Sequence, residues 1–164
     1  MTVPEGYATA LAKLPTLEVS CDVGGLELFP VLSLENAQVG YSRTPDGTSL
    51  IGQESGAWKA GWMVIGRETC CGDPIFVDVE DVSVPVFTAP HGEVSWNPQQ
   101  IATSIEAFVA CFQEFAQIAK LRANPVAVRE HPVEDTERAA FLSRIEQLNK
   151  GSIGQEFWEL MVSS

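Results

Sequence analysis

Short apolar segments separated by polar connections run through the middle of the chain, and this pattern predicts a small sheet. Residues 61–65 and 74–79 are apolar and are joined by a polar turn that contains a Gly-Asp pair. Two such segments around a turn of this kind are typical of a β-hairpin. Residues 82–88 predict a third strand, which Pro85 places at a sheet edge or at a bulge. Consecutive short strands with short connections predict a largely antiparallel meander.

A longer apolar periodicity follows and predicts a helix over residues 98–121. Asn97 is a suitable N-cap, and Pro98 suits the first helical position. Apolar residues then recur every three or four positions, so they share one face of the helix. We expect that face to cover one side of the sheet as core, not to bind a cofactor. The face consists of Ile101, Ile105, Phe108, Val109, Phe112, Ala116 and Ala119.

The remaining segments predict short elements on either side of these. Before the hairpin we expect a helix over 4–14, a turn at Gly24-Gly25, a strand over 26–29, one or two helical turns over 34–39 and a long loop over 42–57. After the long helix we expect a linker over 124–134, a helix over 136–150 ended by Gly151, and a last helix that begins after Ser152 and carries Phe157 and Trp158.

Strands first and helices last predict an α+β fold, with a mostly antiparallel central sheet backed by helices. A chain of 164 residues is long enough for one domain with a substantial core. We therefore expect a single domain over residues 1–164. Its core would span about 4–122, and residues 123–164 would form a C-terminal helical extension.

The net charge of −12 narrows the range of partners. Most of the excess acidic charge lies in residues 1–96. Such a field repels phosphate backbones, so we expect no direct nucleic-acid binding. The same field attracts and steers a basic protein partner. Solubility alone is an equally good explanation of the acidity.

The chain contains no long apolar run and no basic, apolar leader at its N-terminus. We therefore expect no membrane partner and a cytoplasmic location. The four cysteines include the adjacent pair Cys70-Cys71 but no C-x-x-C pair, which favours free thiols over a zinc site. We expect no metal ion and no cofactor, since nucleotide-binding glycine motifs are also missing from the sequence.

One enzymatic alternative is a triad of Cys70 or Cys71 with His91 and Asp73. The simpler interpretation is that Asp73 shapes a turn by accepting hydrogen bonds from backbone amides. Asp78, Glu80 and Asp81 form an acidic cluster at a strand end, without the glycine and glutamate of an EF-hand loop. We interpret this cluster as a solvated edge that a basic partner can contact.

The order of the motifs resembles that of the SUKH superfamily, which includes the yeast regulator of cell-wall glucan synthesis and many small bacterial proteins. The similarity covers about residues 4–112. It rests on Pro4-Glu5-Gly6-Tyr7, Gly24-Gly25, the segment 34–41, Trp62-Met63-Val64-Ile65-Gly66, the segment 72–78, Pro85-Val86-Phe87, His91-Gly92 and the helix start at Ile101-Ala102-x-Ser104-Ile105-x-x-Phe108. Compared with the family pattern, we expect the helix that usually precedes the first motif to be missing or shortened here.

This resemblance implies an α+β fold and a non-enzymatic, protein-binding role. Bacterial members are regarded as immunity proteins that neutralise polymorphic toxin domains, which are often nucleases with basic clefts. We therefore expect a basic toxin domain as partner, contacted by Asp78, Glu80, Asp81 and Glu93 and by an exposed tryptophan such as Trp58. At least one of Trp58 and Trp62 is expected in the core. The alternatives are a regulatory scaffold for endogenous proteins and the cysteine-dependent enzyme.

Overall fold

The computed structural model describes residues 3–92 and 94–163. Its centre is a six-stranded antiparallel meander that curls into a half-barrel, with strands in the order of the sequence. The strands are β1 (Glu18–Cys21), β2 (Gly24–Leu28), β3 (Trp62–Glu68), β4 (Pro74–Asp78), β5 (Val86–Thr88) and β6 (Gln99–Ala102). The predicted α+β class and antiparallel meander are confirmed.

In the sequence the helices lie before β1, between β2 and β3, and after β6. They are α1 (Glu5–Leu11), a 3-10 turn (Val31–Ser33), α2 (Leu34–Ala37), α3 (Ile105–Ile118), α4 (Pro125–Glu130), α5 (Asp135–Asn149) and α6 (Gln155–Met161). Helix α3 lies against α1 and α5, and α6 lies against α5 and β6. The predicted helices near both ends and the short helix after Ser33 are therefore present, with somewhat different bounds.

The predicted central hairpin is the pair β3 and β4, which pairs Trp62 with Asp78 at its open end. Of the two alternatives predicted from Pro85, the sheet edge is wrong, because β5 pairs with both β4 and β6, and the bulge is the one that the structure supports. A register shift does occur against β6, between Val86 and Phe87. Pro85 lies just before the strand, where its carbonyl accepts a hydrogen bond from the backbone N–H of Asp78 at 3.2 Å.

The predicted start of the long helix is wrong. Residues 99–102 form β6, and the helix begins only after Ser104, whose hydroxyl accepts from the N–H of Ala107 at 3.1 Å. Pairing with β5 gives this segment ladder hydrogen bonds and buries Ile101 and Ala102 in the sheet. Within α3 the predicted apolar face is confirmed at Ile105, Phe108, Val109 and Phe112, and it also includes Cys111, Phe115 and Ile118.

Four smaller predictions are also corrected. The turn of the first hairpin is at Asp22-Val23, with a positive φ of 56° at Asp22, whereas Gly24-Gly25 belongs to β2. The linker expected over 124–134 contains helix α4, capped by Asn124. Helix α5 ends at Asn149, and its C-cap is Lys150 in the left-handed conformation instead of Gly151; Gly154, not Ser152, precedes α6.

The main core lies between one face of the sheet and helices α1, α3, α5 and α6. Residues from the 123–164 segment belong to it, including Phe141, Ile145 and Trp158. A second, smaller cluster covers the opposite face of the sheet under the segment 38–61. The C-terminal segment and the sheet thus bury apolar surface together, which stabilises both.

Tyr7 connects α1 to the sheet from within the main core. Its hydroxyl donates to the carbonyls of Phe29 at 2.7 Å and Ile65 at 3.0 Å, and burial raises the pKa of its phenol. We expect Tyr7→Phe to lower the free energy of unfolding by about 1–1.5 kcal/mol at neutral pH. Denaturant unfolding followed by circular dichroism would measure this loss.

The raised pKa of Tyr7 predicts that the free energy of unfolding depends on pH. Because the pKa is higher in the folded chain, the tyrosine contribution is complete below the ordinary pKa of 10.0 and is lost as pH rises above it. The Tyr7→Phe variant should therefore lose less stability than the parent between neutral and alkaline pH. Tyr41→Phe is a second test of the same kind, since the pKa of Tyr41 is also raised, chiefly by burial, so its removal should flatten the alkaline slope in the same direction. An unchanged alkaline slope in Tyr7→Phe would contradict this assignment.

Candidate protein-binding surface

The outer face of the sheet carries a cluster of aromatic side chains with Trp58 at its centre. Trp58 is 1% exposed, and its indole N–H donates to the carbonyl of Trp62 at 3.1 Å. Its ring lies 4.9–5.4 Å, between centroids, from the rings of Phe76, Trp96, Tyr41 and Trp62. The expectation that Trp58 is exposed is wrong, because segment 38–61 folds back over the sheet and buries it. The expectation that one of the two tryptophans is core is confirmed.

Trp62 is the tryptophan of this pair that reaches the surface. It lines a groove of about 310 Å³ together with the apolar side chains of Ile51 and Val79. Glu35 and Arg43 lie along the same groove and form an ion pair at 3.7 Å. A half-buried tryptophan in an apolar groove is the kind of anchor on which protein interfaces depend.

The β4–β5 loop, residues 79–85, separates this groove from a second one. Val79, Val82 and Val84 line the second groove, of about 440 Å³, with Ile105 at the start of α3. Val82 is fully exposed, and Val79 is 38% exposed. Large apolar side chains that meet in a patch instead of being scattered mark interaction sites.

The structure brings three of the predicted acidic residues together at this loop. Asp78 accepts a hydrogen bond from the backbone N–H of Glu80 at 3.0 Å. Asp81 accepts from the hydroxyl of Ser83 at 2.7 Å and from its N–H at 2.8 Å, and these bonds lower the pKa of the Asp81 carboxyl. The exposed carboxylate of Glu80 makes no hydrogen bond within the described residues. Glu93 lies outside the described residues.

The side chains of Asp78 and Glu80 lie close to the backbone of Gly61. A Cβ at Gly61 would lie 2.5 Å from Asp78 Oδ1 and 2.9 Å from Glu80 Cγ, so both side chains would have to shift to admit one. Val84 has a φ of 46°, a conformation that β-branched residues rarely adopt, and its N–H donates to the carbonyl of Asp81 at 3.0 Å. Backbone strain of this kind is concentrated at functional sites.

The residues of the alternative triad are partly assembled. His91 Nδ1 lies 2.8 Å from Asp73 Oδ1, which also accepts from the backbone N–H of His91 at 2.9 Å. Asp73 thus accepts from a backbone amide, as expected, but from that of His91, 18 positions away, and not from its own turn, where Glu68 accepts from the amides of Cys70 and Cys71. Within the described residues, neither thiol of Cys70-Cys71 is hydrogen-bonded to His91. The hydrogen bond with Cys70 and neighbouring negative charge raise the pKa of the Cys71 thiol, which disfavours its thiolate.

The acidic side of this surface was predicted from the sequence, whereas its apolar side was not. Ile51, Trp62, Val79 and Val82 were not among the predicted site residues. A weak signal was present, since Val79 and Val82 flank two acidic residues in a segment where a polar turn is expected. The groove at Trp62 depends on how segment 38–61 packs, which no local pattern indicates.

Comparisons of the chain with models of protein families, with curated proteins and with solved structures find no match. In the described ranges 3–92 and 94–163, no group of three or more histidine, cysteine and acidic side chains is arranged to hold a metal ion. Nor does any helix of those ranges have the length and apolarity needed to cross a membrane.

Proposed function

We propose that this chain is a non-enzymatic protein-binding module of the SUKH type that recognises a basic partner through the β4–β5 loop. One observation carries the proposal: the fully exposed Val82, which follows the carboxylates of Glu80 and Asp81, lines one of two apolar grooves that meet at Val79. An exposed apolar side chain beside negative charges is complementary to a partner surface that has an apolar contact within a basic rim.

The overall charge supports the same class of partner. At −12 the chain attracts a basic domain over a long range and repels nucleic acid. The working role is immunity, in which the module covers the basic cleft of a cognate toxin domain. The antiparallel sheet backed by helices agrees with the fold that the SUKH resemblance implies.

The genes that flank this reading frame provide the first test. A neighbouring gene for a long secreted protein with a variable C-terminal domain would identify the domain to express and test for binding and inhibition. Housekeeping neighbours, and no inhibition of any such toxin domain, would contradict immunity and favour the regulatory scaffold. A pull-down from host cytoplasm would then identify the endogenous partner.

We expect Glu80→Lys to slow association with the partner by about tenfold at low salt and to flatten the dependence of that rate on salt. The reason is that Glu80 is exposed and makes no internal hydrogen bond in the described structure, so the variant changes the charge without disturbing the loop. Stopped-flow or surface-based kinetics over a range of salt concentrations would measure both effects.

Glu146→Lys is the matched control, since Glu146 is also exposed but lies on α5, which packs on α3 and α6. The net charge changes equally in both variants. Equal rates and equal salt slopes for the two would reject the β4–β5 loop as the contact surface, whatever the partner's identity.

A further inference from the structure

A separate cavity lies at the opposite end of β4 from the β4–β5 loop. It occupies about 420 Å³ between the turn of the β1–β2 hairpin, the β3–β4 turn and helix α6. This volume is within the range of pockets that bind small ligands. The cavity shares no lining residue with the two grooves beside the β4–β5 loop.

One wall of the cavity is apolar. Helix α6 contributes Phe157, Leu160 and Met161, and Val23 of the first hairpin turn also lines the space. Phe157 is buried, whereas Leu160 is 66% exposed. Such a wall suits an aliphatic stem, which loses its contact with water when it binds there.

The other wall carries carboxylates, of which Glu68 is the most buried. Glu68 is only 7% exposed, and its two oxygens accept from the backbone N–H groups of Cys70 and Cys71. Ionised carboxylates have about four lone-pair sites, so those two bonds leave acceptor capacity unused. Asp22 and Asp73 line the same cavity.

The basic side chains that neighbour the carboxylates of this cavity already form ion pairs. Arg67, next to Glu68, bonds Glu27 at 2.7 Å. Arg122, whose carbonyl accepts from the N–H of Asp22, bonds Glu137 at 2.8 Å. His91 pairs with Asp73, but across the described residues no salt bridge includes Glu68 or Asp22. A buried carboxylate without a cation favours the binding of one from outside.

We infer that this cavity binds an amphipathic organic cation: an ammonium or guanidinium group on a short apolar stem. The charged group lies at Glu68, and the stem lies against α6. This chemistry is shared by free small amines and guanidines and by lysine or arginine side chains of a protein. The inference is independent of the proposed function, because the cavity and the β4–β5 loop are at opposite ends of β4.

The test is an NMR titration of the full chain with butylguanidinium, and with butanol and butyrate as neutral and anionic probes. We expect butylguanidinium alone to shift the backbone amide signals of Cys70 and Cys71 and the methyl signals of Leu160 and Met161. N-acetylarginine methylamide separates the two sources. If it binds as well as butylguanidinium, the cavity accepts a chain-borne side chain, and if it fails to bind, the ligand is a free small molecule.

Glu68→Gln should weaken butylguanidinium binding by roughly tenfold or more, since it removes the buried charge. Glu159→Gln is the matched control on α6, because it changes the net charge equally outside the cavity, and it should bind as the parent does. If Glu68→Gln does not fold, Leu160→Lys at the exposed rim of the cavity replaces it as the test. The ammonium group of the new lysine should compete with butylguanidinium and weaken its binding. Equal responses to the three butyl probes, or unweakened binding in the variant that folds, would overturn the inference.

Discussion

Replacing Trp158 by alanine is expected to lower the free energy of unfolding by about 3–5 kcal/mol. Trp158 is completely buried, and its indole N–H donates to the carbonyl of Ile101 at 3.0 Å. The substitution removes a large apolar surface, creates a cavity and leaves that buried carbonyl without its donor. The rings that would line the cavity are those of Phe108, Phe115, Phe141 and Phe157.

The backbone around Trp158 leaves little room for the structure to collapse into such a cavity. Gly154 precedes α6 with a φ of 77°, and a Cβ there would lie 2.2 Å from the carbonyl oxygen of Ile101. Helix α6 therefore already lies as close to β6 as the backbone allows. The cost should accordingly lie toward the upper end of the range for large-to-small substitutions.

Leu160→Ala is the matched control in the same helix. Leu160 is 66% exposed, so its truncation should change stability by no more than about 0.5 kcal/mol. Urea unfolding followed by far-ultraviolet circular dichroism suits both variants, because the signal does not depend on tryptophan. A loss for Trp158→Ala as small as that for Leu160→Ala would mean that the C-terminal segment is not part of the cooperative core.

Local sequence patterns predicted the elements that are formed by residues close together in the sequence. The hairpin of β3 and β4 is formed by two adjacent apolar segments, and the turn between them contains Gly72 with a φ of 83°. The apolar face of α3 follows from a period of 3.6 residues. In both cases the residues that decide the structure are close in the sequence.

The dipeptide Asn-Pro shows that a local pattern does not always determine the structure. It occurs twice, once at the start of a helix and once before a strand. Asn124 caps α4, since its side chain accepts from the N–H groups of Val126 and Ala127, and Pro125 is the first helical residue. Asn97-Pro98 instead precedes strand β6. The two differ because residues 99–102 pair with the edge of β5. A short window of sequence does not show this pairing.

Burial of Trp58 and exposure at Trp62 were equally hard to predict. The two tryptophans are four positions apart and have similar neighbours in the sequence. Their burial depends on the long segment 38–61, which makes only isolated bridges to itself and lies over the sheet. The acidic cluster at Asp78, Glu80 and Asp81 was easier to predict, because its residues lie close together in the sequence. Its surroundings depend on the same long segment.

Gln38→Ala is expected to lower the free energy of unfolding by about 2–4 kcal/mol, because it leaves buried backbone groups of β3 without partners. Gln38 is 4% exposed. Its amide N–H₂ donates to the carbonyls of Val64 at 2.9 Å and Leu34 at 2.7 Å, and its amide oxygen accepts from the N–H of Val64 at 3.0 Å. The side chain thus pairs with Val64 as a neighbouring strand would.

Gln38→Glu separates the hydrogen bonds from the packing, because glutamate has nearly the same shape. Ionised glutamate cannot donate, so it would face two carbonyls, and its pKa should rise in the folded chain. A raised pKa means that stability is greatest below the ordinary glutamate pKa of about 4.3 and falls as pH rises past it. Gln38→Glu should therefore be less destabilising, relative to the parent, at acid pH than at neutral pH.

Gln53→Ala is the control for both variants, since Gln53 is exposed on the same segment and its side chain makes no hydrogen bond in the described structure. If Gln38→Ala cost no more than Gln53→Ala, the segment 38–61 would be held by its aromatic contacts alone. If the prediction holds, loosening this segment should also expose Trp58. A red shift of tryptophan fluorescence in Gln38→Ala before global unfolding would then show that one buried amide holds the aromatic cluster and the Trp62 groove in place.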